Sequence, residues 1–431
     1  MRAIVLFFRF VVIGWVFFVS LFRYLARRLG GRGRTVDDRD RLRGEILASA
    51  FERLGATFVK FGQILGTRPD VLPQGMIVAL SRLQDAVPPA PFAEVQRVLE
   101  EDLDAKARAR FASIEEVPVA AASVAQVHRG VLDDGRVVAI KVQRLRAAPQ
   151  IERDLALLGL AARMLSLFPG MRYMSLPGAA KEFDHALRAQ LDFELEAKNN
   201  LRLAKNFANE PKIHVPKLID GLCTRRVLTM EFIDGVRPTD VTTHRQELAQ
   251  MGFRCIAQMV FLDGFVHADM HPGNILFTKD GHVYLIDLGL VAEIPEDQRK
   301  PWIDTFVSVA SFDGKRTAAL FYTYAPEQHV RDYAQYEADI VAHLASFVGR
   351  PLHELEVTQS VGGAMAILRK HRVKVDPSFT VVNLAMLVAE GVGKQLDPHF
   401  DVYACAMPYL IEASARYPTG RPPLRSVPRV A

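Results

Sequence analysis

The sequence predicts an α+β protein of two lobes, preceded by a helical extension and by an apolar helix at the N-terminus. Short apolar strands separated by turn residues occupy 118–142 and 213–232. A separate hairpin pattern lies at 275–286, and the region from 290 to about 415 has the apolar spacing of helices. The predicted segments are 1–35 (apolar helix and arginines), 36–110 (extension), 111–235 (small lobe), 236–415 (large lobe) and 416–431 (Pro-rich tail).

Composition and charge limit the class of protein. With 431 residues, 49% of them hydrophobic, the chain can bury a large core. Residues 1–44 contain ten Arg and three Asp, a charge of +7 within a total of +5, which leaves −2 for the remainder. We therefore expect no nucleic-acid binding. The three cysteines are far apart and lack CxxC spacing, which indicates neither zinc nor a disulfide framework and favours a reducing compartment.

The apolar run from Ile4 to Phe22 is about as long as a bilayer-spanning helix. Five arginines follow it: Arg23, Arg27, Arg28, Arg32 and Arg34. Because such clusters remain in the cytoplasm and attract anionic lipids, we expect the N-terminus to hold the protein at the cytoplasmic face of a membrane. Arg9 is costly in the middle of a spanning helix, so a helix lying in the headgroup layer is the alternative.

The extension contains a helix with two distinct faces. Its apolar face consists of residues three or four apart: Leu54, Phe58, Phe61 and Leu65. A separate polar stripe consists of Lys60, Gln63 and Thr67, and Gly66 with Pro69 is expected to end the helix. Periodicity alone favours a solvated position for this stripe.

The segment from Pro118 to Val142 predicts three strands. Lys141 lies on the last of them, among apolar residues, where an ammonium is costly unless an anion pairs with it. Val-Ala-Ile-Lys is also how a kinase sheet presents the lysine that holds the phosphates of ATP. Small side chains in the preceding loop would let backbone N–H groups approach a phosphate: Ala120, Ala121, Ala122, Ser123, Val124 and Ala125.

A lysine in this role needs a carboxylate partner. We predict one helix from Ala180 to Asn206, with Leu195 on its apolar stripe and with Asp192 and Glu196 sharing another face four residues apart. Glu196 is the predicted partner of Lys141.

Strands predicted at 213–219 and 226–232 would complete the small lobe. The second strand leads into a turn at Asp234-Gly235. Backbone groups from Met230 to Phe232 would then hydrogen-bond an adenine in an apolar slot, although an ordinary buried strand fits this piece nearly as well.

The stretch from Phe265 to Leu290 combines a polar loop with a hairpin. If Ile275 faced Ile286 across that hairpin, Asn274 and Asp287 would lie opposite one another and could hold Mg²⁺ through two oxygens. Asp269, in the loop, could then address a nucleophile beside the metal. His-x-Asp-x4-Asn followed by Asp-x-Gly is the phosphoryl-transfer layout of kinase-like enzymes, so the two lobes are predicted to have a protein-kinase-like fold.

Together these motifs resemble the UbiB, ABC1 or AarF family of atypical kinase-like proteins over roughly residues 54–291. Lys60-Phe61-Gly62-Gln63 is similar to the family's lysine-x-glycine-glutamine signature, and residues 120–128 and 267–274 resemble its alanine-rich and catalytic loops. The chain has Gln190-Leu191-Asp192 where the family commonly has glutamate-x-aspartate.

The resemblance implies an ATP- and Mg²⁺-dependent phosphotransferase or ATPase that supports isoprenoid-quinone biosynthesis, in particular that of ubiquinone. Its partners would be membrane lipids and quinone-pathway enzymes or lipid intermediates. The resemblance also implies that the extension covers the active site, where Lys60 and Gln63 would meet the acidic cluster of Asp192, Asp269 and Asp287. Lys60, Gln63 and Asp192 would then be regulatory residues. Two alternatives remain open: a small-molecule kinase of the aminoglycoside type, and a nucleotide-sensing scaffold with little turnover.

Overall fold

The structure of the protein is a computed structural model. It describes residues 2–30, 35–66, 72–80, 82–83, 88–167, 176–268, 270–350 and 356–428. The chain divides into two compact units. The first unit comprises Met1–Asn200 and Pro216–Phe232, and the second comprises Leu201–Val215 and Ile233–Ala431.

The first unit begins with helices, as predicted for 36–110. They are α1 (Arg2–Leu29), α2 (Val36–Leu54), α3 (Ala56–Gly66), α4 (Gln74–Leu80), α5 (Phe92–Asp102) and α6 (Ala105–Arg108). Gly55 separates α2 from α3 with a φ of 93°, a backbone conformation that favours glycine. The predicted apolar face from Leu54 to Leu65 therefore crosses a break between two helices.

Among the described residues, α1 is the helix whose length and apolar composition would let it cross a membrane. This finding agrees with an N-terminal apolar helix that could anchor the protein.

The next elements are β1 (Phe111–Ile114), β2 (Ala120–Ala121), β3 (Ala125–Leu132), β4 (Val137–Gln143), α7 (Ala147–Leu165), α8 (Leu176–Ala189), α9 (Phe193–Asn206), β5 (Ile213–His214), β6 (Leu218–Cys223) and β7 (Val227–Glu231). The sheet of the first unit has the order β1-β3-β4-β7-β6, with β2 beside β3, and its pairs are antiparallel. Val138 and Ile140 on β4 are buried in one apolar cluster with Val98 of α5. The predicted alternation along β4 is thus present, with Lys141 on the other face.

The predicted single helix from Ala180 to Asn206 is wrong. Two helices, α8 and α9, are separated at 190–192, and the Asp192 carboxylate accepts from the N–H groups of Glu194 and Leu195 at 3.1 and 3.3 Å. Asp192 therefore caps the start of α9, because a carboxylate satisfies amides that have no intrahelical partner there. It does not share a helix face with Glu196, and Leu195 is exposed instead of lying on an apolar stripe.

The predicted strand 213–219 is also divided. Residues 213–214 form β5, which belongs to the second unit and pairs in parallel with another strand there. The strand β6 begins at Leu218 and belongs to the first unit. The strand predicted at 226–232 is β7, one residue shorter at each end.

The second unit contains α10 (Arg245–Ala257), β8 (Phe265–His267), β9 (Ile275–Phe277), β10 (Val283–Leu285), β11 (Val291–Glu293), α11 (Glu296–Ala310), α12 (Gly314–Tyr324), α13 (Tyr333–Ala345), α14 (Val357–Lys370), α15 (Pro377–Leu396) and α16 (Val402–Arg416). Small sheets β5-β10-β9 and β11-β8 lie beside one large apolar core built mainly by these helices. The predicted helical region thus begins after β11, which was expected to be helical but pairs with β8 instead.

Candidate functional site

In the first unit, the candidate site is centred on Lys141. This residue lies on β4 between Val127 of β3 and Leu228 of β7. Its Nζ donates to both carboxylate oxygens of Glu196 on α9, each at 2.8 Å. Lys141 is 9% exposed and Glu196 is 2% exposed. The structure therefore brings together the lysine and the carboxylate that the sequence paired, as a buried ion pair with short hydrogen bonds.

Phe193 completes the surroundings of this ion pair and was missed in the sequence. Its ring centroid lies 5.2 Å from Nζ of Lys141, within the range of a cation–π interaction. Asp192 fixes Phe193 as the first residue of α9, one turn before Glu196. The capping pattern, an Asp directly before a helix, was the signal that could have located it.

The alanine-rich run forms the tight connection from β2 to β3. Ala120 and Ala121 are paired with β3, and the N–H of Ala122 donates to the carbonyl of Ala125 at 2.8 Å. The Ala122 amide is therefore engaged within the turn and is not directed at a ligand in this conformation. Ser123 is buried and Val124 is half-buried.

Arg144 makes hydrogen bonds that hold this connection in place. Its own N–H donates to the carbonyl of Val124 at 2.9 Å, and its guanidinium donates to the carbonyl of Ala122 at 3.3 Å and to that of Pro88. These bonds hold the run in a defined shape, a role that no sequence pattern indicated.

The segment expected to contact adenine already uses backbone N–H groups in hydrogen bonds within the first unit. The N–H of Glu231 donates to Lys217 at 2.8 Å, and that of Phe232 donates to Val137 at 3.3 Å. Met230 is buried in an apolar cluster with Phe193. The N–H groups of Glu231 and Phe232 are therefore engaged in the protein alone, and contact of this segment with an adenine stays a prediction.

The second unit carries the loop with the phosphoryl-transfer pattern. Strands β8 and β11 pair so that His267 faces Val291, and the N–H of Ala268 donates to Leu290 at 2.9 Å. Asp269, the predicted catalytic residue, lies outside the described residues. Its neighbours on either side, Ala268 and Met270, belong to the second unit, and Met270 is buried.

The predicted register of the hairpin is wrong by one residue. Ile275 faces Leu285, not Ile286, and Thr278 closes the turn with His282. Gly281, with a φ of 78°, takes the left-handed position that a three-residue turn of this kind needs. Asn274 therefore lies opposite Ile286, whose N–H donates to its carbonyl at 3.1 Å, and Asp287 is the following residue.

Asn274 and Asp287 still lie at the same end of the hairpin, although they are no longer directly opposite one another. Asn274 is buried, whereas Asp287 is half-buried and its Oδ1 accepts from the N–H of Gly289 at 3.1 Å. Among the described residues no group of three or more His, Cys, Asp or Glu side chains is suited to hold a metal ion. One amide and one carboxylate oxygen fit Mg²⁺, which commonly binds one or two protein ligands together with phosphate oxygens and water.

Lys60 does not occupy the solvated position that periodicity favoured. It is 7% exposed on α3, and the half-buried Gln63 donates to the carbonyl of Leu83 at 3.3 Å. Gly62, between them, lies so close to Phe51 and Leu83 that an added Cβ would be 2.5 and 2.3 Å from their side chains. The signature is therefore a tightly packed part of the first unit.

Arg202 and Glu293 form a further ion pair beside β8 and β11, which the sequence did not reveal. The guanidinium of Arg202 bonds both carboxylate oxygens of Glu293 at 2.7 and 3.1 Å and lies 4.1 Å from the ring centroid of Phe265. The hydrogen bonds from Arg202 hold the pKa of Glu293 below its usual value. Arg202 of α9 thus contacts both strands that flank the catalytic-loop pattern.

Two domain families match the chain. An ABC1 atypical kinase-like domain matches residues 82–321, and a UbiB helical domain matches residues 341–401. The fold is therefore kinase-like and of the α+β class. The chain belongs to the ABC1 atypical kinase-like family, which confirms the resemblance seen in its motifs.

Similar proteins place it near UbiB. The chain is 34% identical over 384 residues to the "Probable protein kinase UbiB" of Marinobacter nauticus, which covers 85% of this chain and 69% of the relative. It also resembles the solved structure of Rv3197 from Mycobacterium tuberculosis, a complex with erythromycin, with a TM-score of 0.53 and 25% identity over 85% of this chain and 93% of that one. Both matches extend well beyond the catalytic motifs.

Proposed function

We propose that the protein binds Mg-ATP and either hydrolyses it or transfers its γ-phosphoryl group. In this proposal Lys141 orients the phosphates and Glu196 positions Lys141. Asn274 and Asp287 hold Mg²⁺, which would offset the charge of the phosphate oxygens. Asp269 orients or deprotonates the nucleophile. The alanine-rich loop from Ala120 to Ala125 and the apolar surface at Met230 and Phe232 would contact the nucleotide.

The buried pair of Lys141 and Glu196 is the observation that carries this proposal. A charged pair removed from water contributes little net stability compared with apolar residues of similar size. Its position on the central strand, with both carboxylate oxygens on one ammonium, is better explained by a need to present a cation to phosphates.

We further propose that the protein supports isoprenoid-quinone biosynthesis, in particular that of ubiquinone, at the cytoplasmic face of a bacterial inner membrane. Family membership and the UbiB relative support the pathway. The apolar helix α1 supports membrane association. Lipid intermediates or quinone-pathway enzymes would then be its partners.

Phosphate release by the purified protein tests the enzymatic proposal. We expect Mg²⁺-dependent release from ATP that increases with anionic liposomes and a phenolic quinone precursor, and that is lost in Asp287→Asn. The control is Asp280→Asn, the same substitution at the exposed tip of the same hairpin. Tight nucleotide binding without release, together with cellular function in Asp269→Asn, would instead favour a scaffold. A stoichiometric phosphorylated alcohol would favour a small-molecule kinase.

We also infer that the helix carrying Lys60 restricts access of peptides, so that protein phosphorylation is inefficient. Burial of Lys60 and Gly62 in the first unit supports a fixed extension. Lys60→Ala should permit self-phosphorylation or change nucleotide selectivity, whereas Lys106→Ala, an exposed lysine, should not. Wild-type turnover of generic peptides at about 1–100 per second, the range of ordinary kinases, would contradict this inference.

A further inference from the structure

One face of helix α1 packs along the rest of the first unit. The buried or half-buried residues of that face recur with helical spacing: Leu6, Arg9, Ile13, Val16, Val19, Ser20 and Tyr24. From the first to the last of them the helix rises about 27 Å. The packed strip is therefore nearly as long as the hydrocarbon core of a bilayer is thick, about 30 Å.

The helix packed against this face is α2, which runs antiparallel to α1. Near the middle, the rings of Phe17 and Phe51 meet edge to face with centroids 6.5 Å apart. Toward the end of α1, Tyr24 is close enough to Arg43, in the first half of α2, to raise the pKa of that guanidinium. Contacts at both places hold the two helices side by side.

Arg9 joins the other end of α1 to the interior of the unit. Its Nε and Nη2 donate to the two carboxylate oxygens of Asp154 on α7 at 2.7 and 2.8 Å, and Nη2 also donates to the carbonyl of Leu54 at 2.6 Å. Asp154 is 0% exposed. If α1 moved away, a buried carboxylate would lose its partner, which is strongly unfavourable. Arg9 therefore has a specific docking role inside the apolar run.

This docking is incompatible with a helix that spans the bilayer. The sequence of α2 contains nine charged residues: Asp37, Asp38, Arg39, Asp40, Arg41, Arg43, Glu45, Glu52 and Arg53. A spanning α1 would carry this neighbour into the hydrocarbon region, where charged side chains are very costly. Either the docked contacts break or the helix does not span.

The outward face of α1 is apolar and aromatic. Phe8, Trp15 and Phe22 follow one another at intervals of seven residues and are 65%, 64% and 59% exposed. Between and beside them lie other exposed apolar side chains: Ile4, Phe7, Phe10, Val11, Val12, Phe18, Leu21 and Leu25. Arg23, Arg27 and Arg28 are exposed near the end of the helix. An aromatic strip with adjacent arginines is complementary to the boundary between acyl chains and anionic headgroups.

We propose that α1 lies in the plane of an anionic lipid surface while it remains docked on the first unit through Arg9 and Asp154. Its outward face would then enter the headgroup–acyl boundary along its whole length. This inference rests on the membrane association proposed above and specifies its geometry and lipid class. It is independent of phosphoryl transfer.

Depth-dependent quenching of tryptophan by brominated lipids tests the geometry in the full chain. The probes are Trp15 itself and two variants, Phe8→Trp and Phe22→Trp, each combined with Trp15→Phe. Trp15→Phe alone, which retains only the buried Trp302, gives the background. The outer probes are about 21 Å apart along the helix, so an in-plane helix and a spanning helix give different profiles in vesicles of phosphatidylglycerol and phosphatidylethanolamine.

The expected result is equal, shallow quenching at all three positions, with binding that falls about fivefold for each of Arg27→Gln and Arg28→Gln. Deepest quenching at Trp15 with shallow quenching at both outer probes would overturn the in-plane geometry but leave membrane association intact. Failure to bind vesicles would overturn both. A dimer that dissociates when residues 2–30 are deleted, without vesicle binding, would assign the face to a second copy of the chain.

The variant Asp154→Asn tests whether the ion pair of Arg9 and Asp154 holds α1 in place. Its control is Glu152→Gln, which changes an exposed acidic residue on the same helix. We expect Asp154→Asn to shift quenching of Trp15 toward deeper probes and to make α1 itself more accessible to protease, whereas the control behaves as wild type. If Asp154→Asn leaves both readouts unchanged, the ion pair does not hold α1.

Discussion

The two groups of candidate site residues differ in whether their charges and hydrogen bonds are already satisfied without a ligand. Lys141 and Glu196, in the first unit, form a buried pair with both Nζ–Oε distances at 2.8 Å. Asn274 and Asp287, the metal ligands proposed in the second unit, would offer Mg²⁺ two side-chain oxygens, and Asp287 Oδ1 already accepts from Gly289. The first group is thus internally neutralised, whereas the second would need further oxygens to complete the coordination of a metal ion.

This difference assigns a thermodynamic role to each group. In the proposed function, the lysine of this preformed ion pair needs no rearrangement before it meets phosphates, so the first group would set nucleotide orientation. Two oxygens bind Mg²⁺ weakly until phosphate oxygens complete the set. Nucleotide and Mg²⁺ should consequently strengthen each other's binding by the same factor. Substitutions in the first group should therefore affect stability, and those in the second should affect metal-dependent binding.

The largest effect is expected when the preformed pair is broken. Glu196→Ala leaves the ammonium of Lys141 buried without its carboxylate and should lower the free energy of unfolding by about 3–5 kcal/mol. Chemical unfolding measures this loss. The control is the double variant Lys141→Met/Glu196→Leu, which replaces both charges with apolar groups and should recover most of the stability without nucleotide binding. A loss below about 1 kcal/mol in Glu196→Ala would mean that the pair behaves as an exposed salt bridge.

A smaller loss of stability is expected at the extension helix. In Gly62→Ala the added Cβ would lie 2.3 Å from Leu83 and 2.5 Å from Phe51, so the first unit must shift, at a cost of about 1–3 kcal/mol. Thermal unfolding measures it. Gly159→Ala on α7 is the control: its nearest neighbour is a flexible arginine end at 4.0 Å, and it should be neutral or stabilising. Equal behaviour of the two variants would show that Lys60 is carried by a loosely packed helix.

Asp287→Asn should weaken the Mg²⁺-dependent binding of nucleotide with little loss of stability. Removing one of two metal ligands should weaken nucleotide binding in Mg²⁺ at least about tenfold, while binding without Mg²⁺ and the melting temperature stay near their wild-type values. Calorimetric titration with and without Mg²⁺ makes the comparison, with Asp280→Asn as the control. Unchanged affinity together with a normal melting curve would remove Asp287 from the site.

The sequence predicted those parts of the fold and site that depend on local pattern. Alternation along β4 identified Lys141, and the apolar spacing indicated helices in 36–110 and in most of 290–415, although not the bounds of the single helices. It did not predict the hairpin register, because that depends on where Gly281 lies in the turn, and a shift of one residue changes every partner. The contact of Arg9 with Asp154 was also beyond prediction, since it joins residues 145 positions apart. Whether the predicted site residues act on a nucleotide stays a prediction.

The smallest effect concerns a buried histidine in the sheet that carries Lys141. His128 is 0% exposed, its Nδ1 lies 2.7 Å from the carbonyl of Glu115, and its Nε2 lies 2.9 Å from the amide nitrogen of Gln126. The neutral ring satisfies both contacts if Nδ1–H donates to Glu115 and Nε2 accepts from Gln126. A second proton on Nε2 would face a donor, and burial lowers the pKa of His128 below its usual value.

Because the unfolded chain binds this proton more readily than the folded protein, His128 contributes stability above about pH 6.5, and that contribution is lost as the pH falls toward the lowered pKa. We expect the unfolding midpoint of the wild type to decrease from pH 7.5 to pH 5.5, and to decrease less in His128→Gln, which cannot be protonated. His244→Gln, at an exposed position, should keep the wild-type slope. If His128→Gln also keeps that slope, the stability of the sheet that carries Lys141 depends on its ion pair and apolar packing and not on a neutral histidine.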